Sequence, residues 1–130
     1  MLNSGILNPQ ILDLLARVRH TNLLVIADRG FPFWPEIETV DISLIDDVPT
    51  VLQVLAAIRQ NFTVGAVHMA GGFREANDAA TVAAFESALA GIPVTYESHE
   101  AVFKKRIPGA IGLIRTGDTT PYSNMILVSA

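Results

Sequence analysis

The sequence predicts an α/β fold: a single three-layer α/β/α domain spanning residues 1–130, built on a mixed, mostly parallel sheet of about six strands. Three observations carry this. Short continuous apolar runs such as Leu23–Ala27 have the length of a strand buried on both faces. Segments with helical apolar spacing alternate with those runs. Two pairs of successive strand-like segments, one early and one at the end, have no long helix between them, which argues against a purely parallel sheet.

The elements follow in order. Asn8 can cap a helix whose first position Pro9 suits. Ile11, Leu12, Leu14, Leu15 and Val18 recur at helical spacing up to about His20. Leu23–Ala27 is the first strand and stops at Asp28-Arg29-Gly30. Pro32 and Pro35 make the aromatic stretch Phe31–Pro35 a loop, with Trp34 expected in packing. Val40, Ile42 and Leu44 alternate with polar residues as a half-buried strand. Pro49 opens a helix carrying Val51, Leu52, Leu55 and Ile58. Phe62–Met69 is a strand with His68 as a satisfied core residue, and Gly71-Gly72 turns the chain. Arg74–Ala90 reads as one long alanine-rich helix stopped by Gly91. Ile92–Glu97 is a strand, and Ser98 caps a short helix through Lys105 that Pro108-Gly109 breaks. Ala110–Ile114 and Met125–Val128 are the last strands, with a polar loop between them. No repeat or linker divides the chain.

Composition excludes several functions. Half the residues are hydrophobic and 17% charged, so a disordered role is excluded. The surplus of apolar residues for so short a chain predicts self-association. The net charge is −4, and no basic run exceeds Lys104-Lys105-Arg106, so nucleic acid is not an expected partner. Cysteine is absent, which removes disulfides and thiolate chemistry. Met1–Gly5 has no signal-peptide pattern, and no apolar run approaches the ~18 residues of a membrane span. A cytoplasmic protein with no membrane partner is therefore expected. The chain has no phosphate-binding glycine loop, no His-Glu-x-x-His zinc helix and no Gly-x-Ser-x-Gly elbow, so neither metal nor cofactor is expected.

The remaining chemistry-bearing candidates sit at element ends, where α/β sheets carry their sites. His20, between the first helix and first strand, is either a cation favoured at a helix C-terminus or an acid/base group. Asp28 ends an apolar strand, as a turn former before Gly30 or as a carboxylate at the sheet rim. His99 follows the cap Ser98, as an exposed first-turn residue or a ligand group. Tyr122, Ser123 and Asn124 gather a phenol, a hydroxyl and an amide in one turn. They serve either as a Pro-initiated turn or as neutral partners for sugar hydroxyls.

Taken in order, Gly5–Asn8, Arg19-His20-Thr21, Ala27–Pro32, Val40–Leu44, Val48–Leu55, Ser98-His99-Glu100 and Ile114–Leu127 resemble successive blocks of the D-ribose pyranase and L-fucose mutarotase family. Arg29–Pro32 and Gln53–Leu55 look closer to the ribose branch. The resemblance implies a cofactor-free sugar mutarotase acting on a free monosaccharide such as ribose, in a cytoplasmic homo-oligomer, commonly a decameric ring. It implies His20 as proton donor, with Asp28, His99, Tyr122, Ser123 and Asn124 contacting the sugar. The ribose branch carries a lysine four residues after the matching histidine; here Phe103 holds that place and Lys104 falls one later. An L-fucose-type mutarotase and a non-catalytic sugar-binding oligomer remain alternatives.

Ring opening removes a proton from the anomeric hydroxyl and delivers one to the ring oxygen. No redox change or group transfer occurs, so a positioned general acid/base and a shaped pocket suffice. If His20 and Asp28 both act on one sugar, a single strand cannot present both. The eight residue steps from His20 to Asp28 span roughly 20–26 Å. The pair must then come from two subunits.

Overall fold

The computed structural model describes residues 1–130. Leu23–Ala27 (β1), Glu38–Asp41 (β2), Val64–Ala70 (β3), Val94–Glu97 (β4), Gly112–Arg115 (β5) and Met125–Ser129 (β6) form one six-stranded sheet, in the order β2-β5-β1-β6-β3-β4. β5 pairs parallel with β1 and β2, and β3 pairs parallel with β4. Only β6 runs against its neighbours, between β1 and β3. The sheet is therefore mixed and mostly parallel. The sequence reading attributed the mixture to successive strand pairs, and the structure gives a different origin. β1 and β2 are separated by β5, while β5 and β6 flank β1 on its two sides.

Alternation within the strands divides the interior into two cores. Leu24 and Ile26 of β1 join Val67, Met69, Met125 and Leu127 on one face. Pro9–Arg17 (α1), Val51–Arg59 (α2), Gly72–Ala76 (α3) and Ala79–Ala88 (α4) cover that face through Leu14, Leu55, Ile58, Phe73 and Phe85. Val25, Ala27, Leu113 and Ile126 point the other way and meet Phe31, Phe103, Ile107 and Ala110. The second layer is thinner. It is the loop after β1 and a compound helical segment: a π-helical turn over His99–Phe103, the single turn Lys104–Arg106 (α5) and a 3₁₀ turn over Ile107–Gly109.

Local chemistry explains the boundaries. Asn8 accepts from the Ile11 amide and caps α1, with Pro9 at its first position. α1 ends at Arg17, earlier than its apolar spacing suggests, because Val18 turns extended. Thr50 and Gln53 form a capping box that starts α2. The expected helix Arg74–Ala90 is instead two helices. Asp78 accepts from the Thr81 amide and begins α4, while extended Asn77 donates to the Phe73 and Pro121 carbonyls. Gly71-Gly72, expected as a turn, leads into α3. The strand expected through Leu44 closes at Asp41, and Leu44 is 77% exposed. His68 is largely buried as expected, yet its Nδ1 has no hydrogen-bond partner.

Candidate functional site

Two features meet at the end of β1. Asp28 leaves the strand there, and the loop between β5 and β6 returns Asn124 beside it. The two residues hold each other reciprocally. The Asp28 amide donates to Asn124 Oδ1 at 2.7 Å, and Asn124 Nδ2 donates to Asp28 Oδ2 at 3.1 Å. The Gly30 amide donates to the other carboxylate oxygen at 2.9 Å. Burial pushes the Asp28 carboxyl above its ordinary value, and the bonds from Gly30 and Asn124 only partly oppose it.

The loop after β5 is fixed by buried polar groups. Asp118, 3% exposed, accepts from the Val51 amide at the start of α2 and from the Thr120 amide, each at 2.8 Å. Thr116 donates to the Ala27 carbonyl, tying the loop to the end of β1. Gly117 is required by close approach: a Cβ there would overlap the Ile45 carbonyl oxygen and lie 2.8 Å from that of Val48. Tyr122 emerges from this scaffold with a left-handed backbone, φ 55°. That conformation is uncommon for a bulky residue and belongs with functional sites.

The second wall is the π-helical turn. His99 stacks on Phe103 at 5.6 Å between centroids, and meets the edges of Tyr122 at 5.2 Å and Phe31 at 6.3 Å. Burial holds the His99 imidazole below its ordinary pKa, with the Lys104 charge adding to the effect. The Phe103 amide donates to the Ser98 carbonyl, and the Lys104 amide to that of His99, both five residues back. This resolves the lysine's displaced spacing. On an α-helix, five steps would turn Lys104 roughly 140° away from His99. The wider turn absorbs the extra residue, and both side chains line one cleft.

That cleft, about 320 Å³, is bounded by Asp28, Phe31, His99, Lys104, Tyr122 and Asn124, with Gly30, Pro32 and Pro121 completing its rim. Of the residues singled out in the sequence, Asp28, His99, Tyr122 and Asn124 come together. Ser123 lies behind them, its hydroxyl fully buried and without a partner. His20 is exposed in the turn before β1, outside the cleft at the opposite end of that strand. Lys104 is the residue that sequence reasoning missed; an α-helical reading of its spacing turns it away. No group of three His, Cys, Asp or Glu side chains is arranged to hold a metal. A carboxylate, a neutral imidazole, a phenol and an ammonium on a small open cleft match a neutral polyhydroxylated ligand.

The profile of the RbsD / FucU transport protein family matches residues 1–130. The chain belongs to this family. A D-ribose pyranase from Geobacillus kaustophilus is 37% identical over 99% of this chain and 93% of its own length. One from Halalkalibacterium halodurans is 40% identical over 99% and 97%. Among solved structures, Bacillus subtilis RbsD complexed with D-ribose superposes with a TM-score of 0.91, at 32% identity, over 100% of this chain and 98% of its own. The fucose mutarotase from Streptococcus pneumoniae, at 20% identity and a TM-score of 0.76 over 95% and 92%, shares the fold.

Proposed function

We infer that this chain is a sugar mutarotase of the D-ribose pyranase kind, interconverting pyranose, furanose and anomeric forms of free D-ribose by general acid/base catalysis. One observation carries this reading: along nearly its whole length the chain matches D-ribose pyranases and a ribose-bound relative, and its fold forms a polar cleft at the same blocks that resemble the family.

In the proposed mechanism the sugar sits on the Asp28–Asn124 pair. Its hydroxyls donate to the Asp28 carboxylate, while Tyr122 and Lys104 offer a phenol and an ammonium to its oxygens. Ser123 contributes through its backbone amide, which donates to the Thr120 carbonyl and closes the turn that carries Tyr122 and Asn124. His99, held neutral, can accept a hydroxyl proton or donate one through its other nitrogen. His20 supplies the proton for the ring oxygen. It lies beyond the far end of β1 from the cleft, so this role requires His20 from a neighbouring copy. The exposed Phe33, Leu44, Ile45 and Val48 support association of copies. A decameric ring in the cytoplasm, without cofactor, completes the proposal.

The test is NMR saturation transfer on D-ribose. Enzyme-dependent exchange between ring forms is expected. Binding without exchange would instead make the chain a sugar-binding oligomer, and neither would remove the sugar reading.

A further inference from the structure

Outside the cleft, one buried carboxylate and its two basic neighbours have no part in the proposed mechanism. Glu97 ends β4 with its side chain 8% exposed. Arg106 forks onto it: Nε donates to Oε2 at 2.9 Å and Nη2 to Oε1 at 2.6 Å. His68 of β3 backs the same carboxylate, its Nδ1 3.2 Å from Oε1 but not aligned to bond. The guanidinium holds the Glu97 carboxyl below the usual range. Burial, with the repulsion of Arg106, keeps His68 below its own.

The position of this pair in the chain gives it a consequence. Glu97 immediately precedes Ser98, and Arg106 follows Lys104 by two residues. The fork therefore ties together the two ends of the segment that carries His99 and Lys104. Within that segment the backbone is π-helical, a rare form found as single turns, and its wider register rests on the bonds from the Phe103 amide to Ser98 and from the Lys104 amide to His99. Relaxation to α-helical register would rotate Lys104 away from His99 and out of the cleft.

We propose that the Glu97–Arg106 ion pair is a positioning clamp, holding the π-turn so that His99 and Lys104 face the cleft together. The clamp rests on the reading of that cleft as the sugar site. Arg106 does not line the cleft and acts only through the segment it closes. Lysine at the same place keeps the charge but has no fork.

Amide hydrogen exchange on full-length wild type, Arg106→Met and Arg106→Lys reads the clamp directly, without sugar. Protection at Phe103 and Lys104 should fall about tenfold or more in both variants, while Val25 in β1 stays protected. Saturation transfer with D-ribose should then show kcat/KM lowered about tenfold in both variants. Unchanged protection at Phe103 and Lys104 in folded Arg106→Met would overturn the clamp. Lost protection with unchanged kcat/KM would overturn its positioning role. Should Arg106→Met not fold, Glu97→Gln takes its place, keeping side-chain shape and an acceptor while weakening the fork. If wild type exchanges no ribose forms, the sugar reading fails, and the amide measurement still decides the clamp.

Discussion

Asp28 and Asn124 show how a site can be built from mutual restraint. Each fixes the other's orientation, so neither is free to reorganise when a ligand arrives. Asn124→Ala removes the donor to Asp28 Oδ2 and leaves the half-buried Asp28 amide unpaired, a cost of about 1–3 kcal/mol. Ribose affinity should fall about 5- to 150-fold by calorimetry. pH supplies a second measurement. In the proposed mechanism the ionised Asp28 accepts hydroxyls, and burial raises its pKa above 3.8. Affinity should therefore hold at neutral pH and be lost as pH falls through that raised value, at higher pH than an ordinary aspartate would give. An acid limb at or below 3.8 would remove Asp28 from binding. At this scale the sequence was informative. Asp28, His99, Tyr122 and Asn124 were recognisable as polar groups at element ends. The burial of the Ser123 hydroxyl was not, because adjacent turn residues differ only in the direction they face.

Among the elements, the π-turn is the most consequential and the least visible in sequence. Its apolar residues Val102 and Phe103 fit an α-helical pattern as well, and nothing in residue type marks an i→i+5 bond. The break at Asn77-Asp78 was visible in principle through the Asp78-x-x-Thr81 cap, but the surrounding alanines have a stronger helical signature. The strand cores Leu23–Ala27 and Met125–Val128 read clearly because continuous apolar runs between turn residues have few other folds available. Deletion of Val102, which is 39% exposed, shortens the His99-to-Lys104 spacing to four and should convert the turn to an α-helix. The deletion variant should retain ribose exchange within about threefold and melt no lower than wild type. Inserting one alanine after Val102 should abolish exchange. Equal activity in both variants would mean that Lys104 has no part at the cleft.

For the whole molecule, the distance along β1 constrains the proposed chemistry. His20 and Asp28 stand at opposite ends of one extended strand, so a site needing both is divided between copies. Mixing His20→Ala and Asp28→Ala proteins, each inactive alone, should restore exchange in hybrid assemblies measured by saturation transfer. Confirmed subunit exchange with no return of activity would exclude a divided site. Strand order was the part of the fold that the sequence concealed. Every strand is a similar apolar run, and pairings such as β1 with β5 are set by tertiary packing across almost the whole chain.

The placement of β6 also bears on how the protein is made. Before Met125–Ser129 is synthesised, β2, β5 and β1 can pair in one group and β3 with β4 in another. No strand then joins the groups, and the edges of β1 and β3 stand open. Such apolar edges are templates for pairing with other chains. A polypeptide interrupted before Met125 would carry two adhesive borders. The final strand thus acts as a proofreading step for synthesis: only a polypeptide translated through β6 can close its sheet, and an interrupted one is left open to aggregation and proteolysis.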